Sequence, residues 1–317
     1  MKNVINYYYN INADNIHQNN RNYRFRIDNI DYFFVLYNEN IDNIKKIYDI
    51  HLLILQMGLY CHEIVLNIDN SPLTLVDGKY YILLRVKIQN RKVELEDVLY
   101  FSQYYIIPSN NSTYYNGNFN KKKVRSAAPY DMLYINDWFN LWTQKTDYIE
   151  YQVSQVGIKY PLINSSASYY IGLSENAISY LKNNPTTNIH YSISHKRIKS
   201  NSTLFDLYNP VNFIIDSSVR DICEYIKDSF FEGKNQIISC IQNLVLSKDD
   251  AIFFISRMLY PTYYFDAIED CIDNKENDTK ILKYVDKVDS FQLALKDVMI
   301  YLRNRYSVPV IEWIIKT

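Results

Sequence analysis

Two hairpin signals stand out in the pattern of apolar and polar positions over the first 90 residues. Residues 23–37, YRFRIDNIDYFFVLY, predict two strands joined by a turn at Asp28 and Asn29. A second pair of strands is predicted on either side of Asp77 and Gly78, because Asp-Gly suits the tight turn of a hairpin. The N-terminal part of the chain is therefore expected to be an antiparallel sheet.

Helical periodicity interrupts this sheet once and then dominates the chain. Apolar side chains recur at helical spacing in residues 40–58, and Gly58 is placed to end that helix. After residue 90 the pattern predicts helices at 93–105, 129–153, 174–184 and from 218 almost to the C-terminus, with strands at 188–194 and 210–216. No internal repeat is found.

This element order predicts an α+β fold with two lobes. Residues 1–90 form a β-rich N-terminal lobe with one helix, and residues 91–317 form a larger helical C-terminal lobe that carries one short hairpin. The order is typical of the bilobal protein-kinase-like fold.

Composition excludes several classes of protein. The 317 residues carry a formal net charge of -1, so the basic excess typical of nucleic-acid binders is absent and no nucleic-acid partner is expected. The four cysteines are scattered without a CxxC pair, which predicts reduced thiols. We find no transmembrane segment and no signal-peptide pattern, so a cytoplasmic location is expected.

Four segments resemble one known family. They are NDWFNLWTQKTDYIEYQV at 136–153, SISHKRI at 192–198, NPVNFIIDSSVRDICEYI at 209–226 and VPVIEWI at 308–314. In this order they resemble the bacterial spore-coat-associated proteins of the YutH and CotS type, found in Firmicutes. These proteins belong to the aminoglycoside-phosphotransferase-like branch of the kinase fold, which agrees with the element order.

The resemblance assigns a catalytic loop that lacks its base. Active members of the superfamily carry His-Gly-Asp or His-Arg-Asp, followed by an Asn five residues after the Asp. Alignment on His195 puts Arg197 at the Asp and Ser202 at the Asn, with Asn201 one place early. Because an arginine stays protonated, Arg197 cannot accept the proton of an acceptor hydroxyl.

The second metal-binding Asp of the family is also replaced. The preferred register puts Asn212 at this position, and Asn212 is neutral and cannot supply the charge that holds a divalent cation. Asp216 is a possible substitute, but in this register it is interpreted as a turn or helix-cap residue. The chain also has no G-x-G-x-x-G loop, and the strand expected to hold the phosphate-binding lysine, at 31–38, contains no Lys.

The remaining residues of interest are interpreted as structural. His195 is expected to hydrogen-bond the loop backbone, and Arg220 and Asp221 begin a helix whose dipole favours the Asp.

Arg197 either pairs internally with Asp216 or Asp221 or stays exposed and binds an anionic partner. A core stripe is the expected role of the two tryptophans at i,i+4, Trp138 and Trp142. No role is assigned to His62.

These replacements predict a catalytically inactive, pseudokinase-like protein that acts by binding a protein partner. By resemblance its setting is the spore coat or coat assembly, and it needs no cofactor and no metal. One alternative is an active small-molecule phosphotransferase that uses ATP and Mg²⁺ at a relocated metal site built from Asp216 and Asp221. Another is a switch that binds nucleotide without catalysis.

Overall fold

The computed structural model describes residues 1–19, 22–107, 138–156 and 159–316. The chain divides into two compact units. Among the described residues, the first comprises Met1–Val93 and Asn201–Ile214, and the second comprises 94–107, 138–156, 159–200 and 215–316. The predicted lobe boundary at residue 90 stays a prediction, and the grouping of Asn201–Ile214 with the N-terminal residues was not foreseen.

The first unit contains an antiparallel sheet. Its strands are β1 (His17–Asn19), β2 (Asn22–Ile27), β3 (Ile30–Tyr37), β4 (Glu63–Val65), β5 (Thr74–Val76) and β6 (Lys79–Val86). They lie in the order β1-β2-β3-β6-β4, and β5 also pairs with β6. Both predicted hairpin turns are confirmed: Asp28 and Asn29 have φ of 47° and 64°, and Asp77 and Gly78 have φ of 49° and 74°.

Helices account for most of the rest of the described chain. They are α1 (Lys2–Tyr9), α2 (Ile44–Gln56), α3 (Leu95–Tyr104), α4 (Trp138–Val156), α5 (Pro161–Asn183), α6 (Leu204–Leu207), α7 (Arg220–Phe231), α8 (Ile237–Gln242), α9 (Lys248–Leu259), α10 (Thr262–Asp273), α11 (Leu282–Val285), α12 (Val288–Tyr306) and α13 (Glu312–Lys316). Within these ranges no helix is both long and apolar enough to cross a bilayer. The start of the helix predicted at 129–153 lies outside the described residues.

Alternation along the sheet places apolar side chains on both faces. Phe34 and Leu83 pack with Ile5 of α1 on one face. Ile82 and Leu84 pack with Ile47 of α2 on the opposite face. Both faces of the sheet are therefore covered, as is required when successive residues of a strand, which point to opposite faces, are both apolar.

The segment Asn201–Ile214 is bound to the first unit by its backbone. The amide of Val93 donates to the carbonyl of Ser202 at 2.9 Å, and the amide of His62 donates to the carbonyl of Tyr208 at 2.9 Å. Phe205 adds an aromatic contact with Phe33, with ring centroids 4.6 Å apart. This segment contains Asn201 and Ser202, the last candidate positions of the predicted catalytic loop.

Helices α4, α5, α7, α9 and α10 build the second unit. Trp142 of α4 is buried and stacks on Tyr260, with ring centroids 4.5 Å apart. A two-stranded sheet of β7 (Tyr191–His195) and β8 (Phe213–Ser217) accompanies these helices. The strand predictions at 188–194 and 210–216 are therefore confirmed in kind, with shifted ends.

Candidate functional site

His195 is the last residue of β7 and is fully buried. Its backbone amide donates to Asp221 Oδ1 at 3.1 Å, and its ring Nδ1 bonds Asp221 Oδ2 at 2.7 Å. Asp221 is the second residue of α7 and is 2% exposed. The pair fixes the start of the predicted catalytic loop to the helix, so His195 is oriented by the fold.

Arg220 ties the same loop to β8. Its Nε donates to the carbonyl of His195 at 3.1 Å, and one terminal nitrogen reaches the carbonyl of Lys196 at 3.3 Å. The other terminal nitrogen donates to Asp216 Oδ2 at 2.6 Å. One buried guanidinium therefore satisfies two loop carbonyls and one carboxylate, which is the geometry that suits arginine better than lysine.

Asp216 is a buried member of β8, so its interpretation as a turn or helix-cap residue is wrong. Its Oδ1 accepts from the indole Nε1 of Trp138 at 3.0 Å and from the Ser217 amide at 2.6 Å. Its Oδ2 accepts from Arg220 and, at 3.3 Å, from Arg257 Nη2. A buried carboxylate needs such donors to compensate for lost hydration.

Arg257 of α9 is one of the residues of this cluster that the sequence analysis missed. It is 3% exposed, and its guanidinium carbon lies 4.1 Å from the centroid of the Trp138 ring. Burial lowers the pKa of Arg257, and the charge of Asp216 opposes that shift. A single arginine inside the apolar run AIFFISRML was the signal, because a cation on an all-buried helix requires a partner.

Glu224 and Lys227 extend the ionic cluster along α7. Lys227 Nζ donates to Glu224 Oε1 at 3.1 Å and to the carbonyls of Arg257 and Tyr260 at 2.7 and 3.0 Å. Burial alone would raise the pKa of Glu224, but the charges of Lys227 and Arg257 outweigh it and hold that pKa low. The two cations therefore favour the ionised form of Glu224 in an interior position.

Arg197 points away from this cluster. Its Nη2 lies 3.0 Å from Asp266 Oδ1 of α10, and its side chain is 58% exposed. The expected pairing with Asp216 or Asp221 is therefore wrong, because Arg220 and Arg257 bind the first carboxylate and His195 binds the second. The other expectation for Arg197, exposure to a partner, is compatible with its position.

The three remaining candidate positions belong to the first unit. Asn201 is exposed, and Ser202 accepts the Val93 amide through its carbonyl. Asn212 ends a short 3-10 helix, Pro210–Asn212, directly before β8, and its Nδ2 lies 3.5 Å from the carbonyl of Asp206. None of the three side chains carries a negative charge.

Comparison with known proteins decides the family. The family model described as "Spore coat putative kinase YutH" matches residues 2–297. The chain belongs to the YutH family. The resemblance to YutH read from the sequence is thereby confirmed.

A curated relative lies within the same family. The endospore coat-associated protein YutH of Bacillus subtilis (strain 168) is 25% identical over 212 residues, which is 57% of this chain and 62% of the relative. The alignment thus spans less than two thirds of that relative.

Solved structures confirm the kinase-like fold. An aminoglycoside phosphotransferase from Alicyclobacillus acidocaldarius superposes with a TM-score of 0.64 at 8% identity, over 96% of each chain. A spectinomycin phosphotransferase, solved with ADP and spectinomycin, gives 0.58 at 11% identity over 93% of this chain and 92% of its own. At these identities the likeness concerns the fold alone.

The kinase-like fold implies ATP and Mg²⁺, and Asp216 of this YutH-family chain does not fit a metal ion. Both of its oxygens already accept hydrogen bonds, and a divalent ion would have to displace the guanidinium groups of Arg220 and Arg257. Asp221 is occupied in the same way by His195. Among the residues that the structure describes, no cluster of three or more His, Cys, Asp or Glu side chains is arranged to hold a metal.

Proposed function

We propose that this YutH-family protein is catalytically inactive and acts by binding another protein. The kinase-like fold then serves as a scaffold, and its phosphotransfer machinery is replaced. The Bacillus subtilis relative is described as an endospore coat-associated protein, and this description favours the spore coat or its assembly as the setting.

Arg197 is the observation that carries this proposal. Aligned on His195, it occupies the position of the catalytic base, and its guanidinium is exposed and paired with Asp266. A permanent cation cannot deprotonate an acceptor hydroxyl or orient it by accepting its hydrogen bond. The first proton transfer of a phosphotransferase therefore has no group to receive the proton at this position.

The buried ionic cluster supports the same conclusion from the metal side. Phosphoryl transfer depends on divalent cations that bridge the phosphates and neutralise developing charge. Asp216 is the carboxylate nearest in sequence to the metal-binding position, and it neutralises two arginines. Asn212, in the preferred register, is uncharged, so neither residue offers a free negative charge.

Nucleotide binding and turnover give the direct test. The purified protein is heated with ATP and Mg²⁺ or Mn²⁺, and hydrolysis is followed in parallel, with a spectinomycin phosphotransferase as the positive control. We expect no shift in Tm and no turnover. A ligand at 100 times its Kd that binds only the folded state would add about 2.7 kcal/mol to the free energy of unfolding.

The other outcomes separate the alternatives. A rise in Tm without turnover would favour the nucleotide-binding switch. A rise with turnover would overturn the proposal. If Asp216→Asn then abolished the turnover while the protein stayed folded, the relocated metal site at Asp216 and Asp221 would be favoured.

The proposed setting is tested separately in a sporulating bacterium that expresses the tagged chain. We expect the chain in coat extracts of purified spores, together with at least one coat protein. Confinement of the chain to the vegetative cytoplasm would contradict the setting without touching the proposal of inactivity.

A further inference from the structure

The segment that follows His195 presents cations on one side. In the run Lys196-Arg197-Ile198-Lys199, Ile198 is buried, whereas Arg197 and Lys199 on either side of it are exposed. Anchoring of Ile198 therefore holds Arg197 and Lys199 outward. These two cations and the partly exposed Lys196 are here called the basic segment.

A pocket lies beside the basic segment within the second unit. Its cavity volume is about 20 Å³, and it is lined by the basic segment and by residues of α7 and α10. Its acidic lining residues are Glu224, Asp228 and Asp266. Glu224 is bound by Lys227 and Arg257, and Asp228 accepts from the Ser200 amide and hydroxyl at 2.7 and 2.5 Å. Two of the three carboxylates are therefore committed to internal partners.

The third carboxylate, Asp266, shows what the basic segment can bind. Its Oδ1 accepts one hydrogen bond from Arg197 Nη2, and that contact is the only ion pair of Arg197 among the described residues. Burial raises the pKa of Asp266, and the charges of Arg197, Lys199 and Lys145 oppose that rise. Arg197 contacts this carboxylate directly and is exposed, so a carboxylate from solvent can reach the same guanidinium.

We propose that the basic segment and its pocket bind an acidic segment of the partner protein, with a partner carboxylate competing with Asp266 for Arg197. This inference rests on the proposed binding function and adds the chemistry of the partner. Asp266 serves as an internal template, since it shows that a single carboxylate fits the Arg197 guanidinium. The replacement that removed the base then supplies the recognition group.

A labelled octaglutamate peptide is the probe, and its binding is measured by fluorescence anisotropy at low salt with an octaglutamine peptide for comparison. Loss of the positive charge in Arg197→Gln is expected to weaken octaglutamate binding about fivefold, the upper range for a solvent-exposed ion pair. Asp266→Asn removes the internal competitor while keeping its shape. It is expected to tighten binding by a similar factor.

Arg303→Gln is the matched control. Arg303 is an exposed cation on α12, a helix that contributes nothing to the pocket lining. Its loss changes the net charge as Arg197→Gln does, and it is expected to leave binding unchanged. Equal effects of the two arginine variants, or no octaglutamate binding at all, would overturn the inference.

Two further arms identify other sources of negative charge. Selective binding of a phosphoserine peptide or of vesicles containing phosphatidylserine, with octaglutamate ignored, would also overturn the inference of an acidic protein segment. None of these outcomes bears on catalysis. If ATP turnover is absent and octaglutamate does not bind, this inference fails while the proposed inactivity stands.

Discussion

At the scale of single residues, the central feature is a carboxylate surrounded by cations. Asp216 faces Arg220 and Arg257, and Glu224 faces Arg257 and Lys227, all of them buried or nearly so. Such a cluster is weak evidence for stability, because the desolvation of each ion offsets much of the attraction. Removal of one member is a different matter, since its partners then remain buried and unpaired.

We predict that Asp216→Ala strongly destabilises the protein. The substitution removes the carboxylate that accepts from two buried guanidinium groups and from the Trp138 indole, which should cost roughly 3–5 kcal/mol in the free energy of unfolding. Urea unfolding followed by tryptophan fluorescence measures the change. Asp147→Ala, at an exposed position of α4, is the control and should stay within about 0.5 kcal/mol of the parent protein. A cost below about 1 kcal/mol for Asp216→Ala would show that the cluster relaxes without it.

The sequence located part of this site and missed its centre. The order of His195, Arg197 and Asp221 follows the family pattern, so these positions could be named from the chain alone. Arg257 could not be linked to Asp216, because the two are 41 residues apart and belong to a helix and a strand that meet only in the folded chain. The local DSS pattern at the end of β8 suggested a cap, whereas tertiary pairing decided the role of Asp216.

At the scale of elements, the local sequence predicted the two hairpins correctly, because each turn depends on its own residues. The turns at Asp28-Asn29 and at Asp77-Gly78 both form hairpins, because their left-handed residues match the twist of the flanking strands. The helix predicted at 174–184 is only the second half of α5, which begins at Pro161. Its first half is rich in serine, which commonly favours turns over helix.

A distant side chain explains why the first half of α5 is helical. Asp278 Oδ2 accepts from the amides of Leu162 and Ile163 at 2.7 and 3.2 Å, which caps the start of the helix. Ser166 adds a hydrogen bond from its hydroxyl to the carbonyl of Leu162 at 2.6 Å. Since the cap comes from a residue far along the chain, the local sequence offers only Pro161, at the first helical position, as a signal for this start.

His62, buried in the first unit, makes hydrogen bonds whose contribution to stability depends on pH. Its Nε2 donates to the carbonyl of Phe205 at 3.0 Å, and its Nδ1 lies 3.1 Å from the Tyr60 hydroxyl oxygen. Burial lowers the pKa of His62 to about 4, although the Phe205 carbonyl opposes that shift. His62 was assigned no role from the sequence because its partner lies 143 residues away.

We predict that stability falls as the solution is acidified from about pH 7 and that His62→Gln reduces this fall. The unfolded chain protonates His62 near pH 6.5, whereas the folded chain does so near 4, so the stabilising contribution is complete above 6.5 and is lost as the pH drops towards 4. When the pH is lowered from about 7 to 5, the parent protein should lose about 2 kcal/mol more of its free energy of unfolding than the variant does. Urea unfolding at each pH measures it.

The control for this prediction is His17→Gln, an exposed position in β1. It should retain the full acid sensitivity of the parent protein. His51, whose pKa is also lowered to about 4 by burial, contributes a slope of the same sign and is unchanged in both variants. An identical acid dependence of His62→Gln and the parent protein would mean that His62 is protonated without loss of its contacts.

At the scale of the whole molecule, the replacements on which the proposed inactivity rests lie in both units. β3 of the first unit contains no lysine, and the described glycines of the same unit, Gly58 and Gly78, are at a helix end and a hairpin turn. In the second unit, Arg197 stands at the position that the sequence alignment assigns to the base, and Asp216 belongs to an ionic cluster. The proposed loss of catalysis in this YutH-family chain would therefore involve residues of both units.

We predict that restoring the catalytic loop alone does not create a kinase. The triple variant Arg197→Asp, Ser202→Asn and Asn212→Asp supplies the base and both metal ligands of the active pattern. It should show no phosphotransfer or ATP hydrolysis above the parent protein. Phosphoryl transfer is catalysed by positioning and by charges held around the phosphates, and neither a phosphate-binding lysine on β3 nor a glycine-rich loop is supplied by these substitutions.

Folding of the triple variant must be measured with its activity, because the carboxylate introduced at position 197 would face Asp266 and the two negative charges repel each other. Adding Asp266→Asn to the triple variant removes this repulsion and keeps the remainder of the pocket. If the quadruple variant is folded and still inactive, the defect extends beyond the loop, as the composition of β3 requires. ATP-dependent turnover in either variant would instead confine the loss of catalysis to positions 197, 202 and 212, and the scaffold would then be an enzyme disabled at a single site.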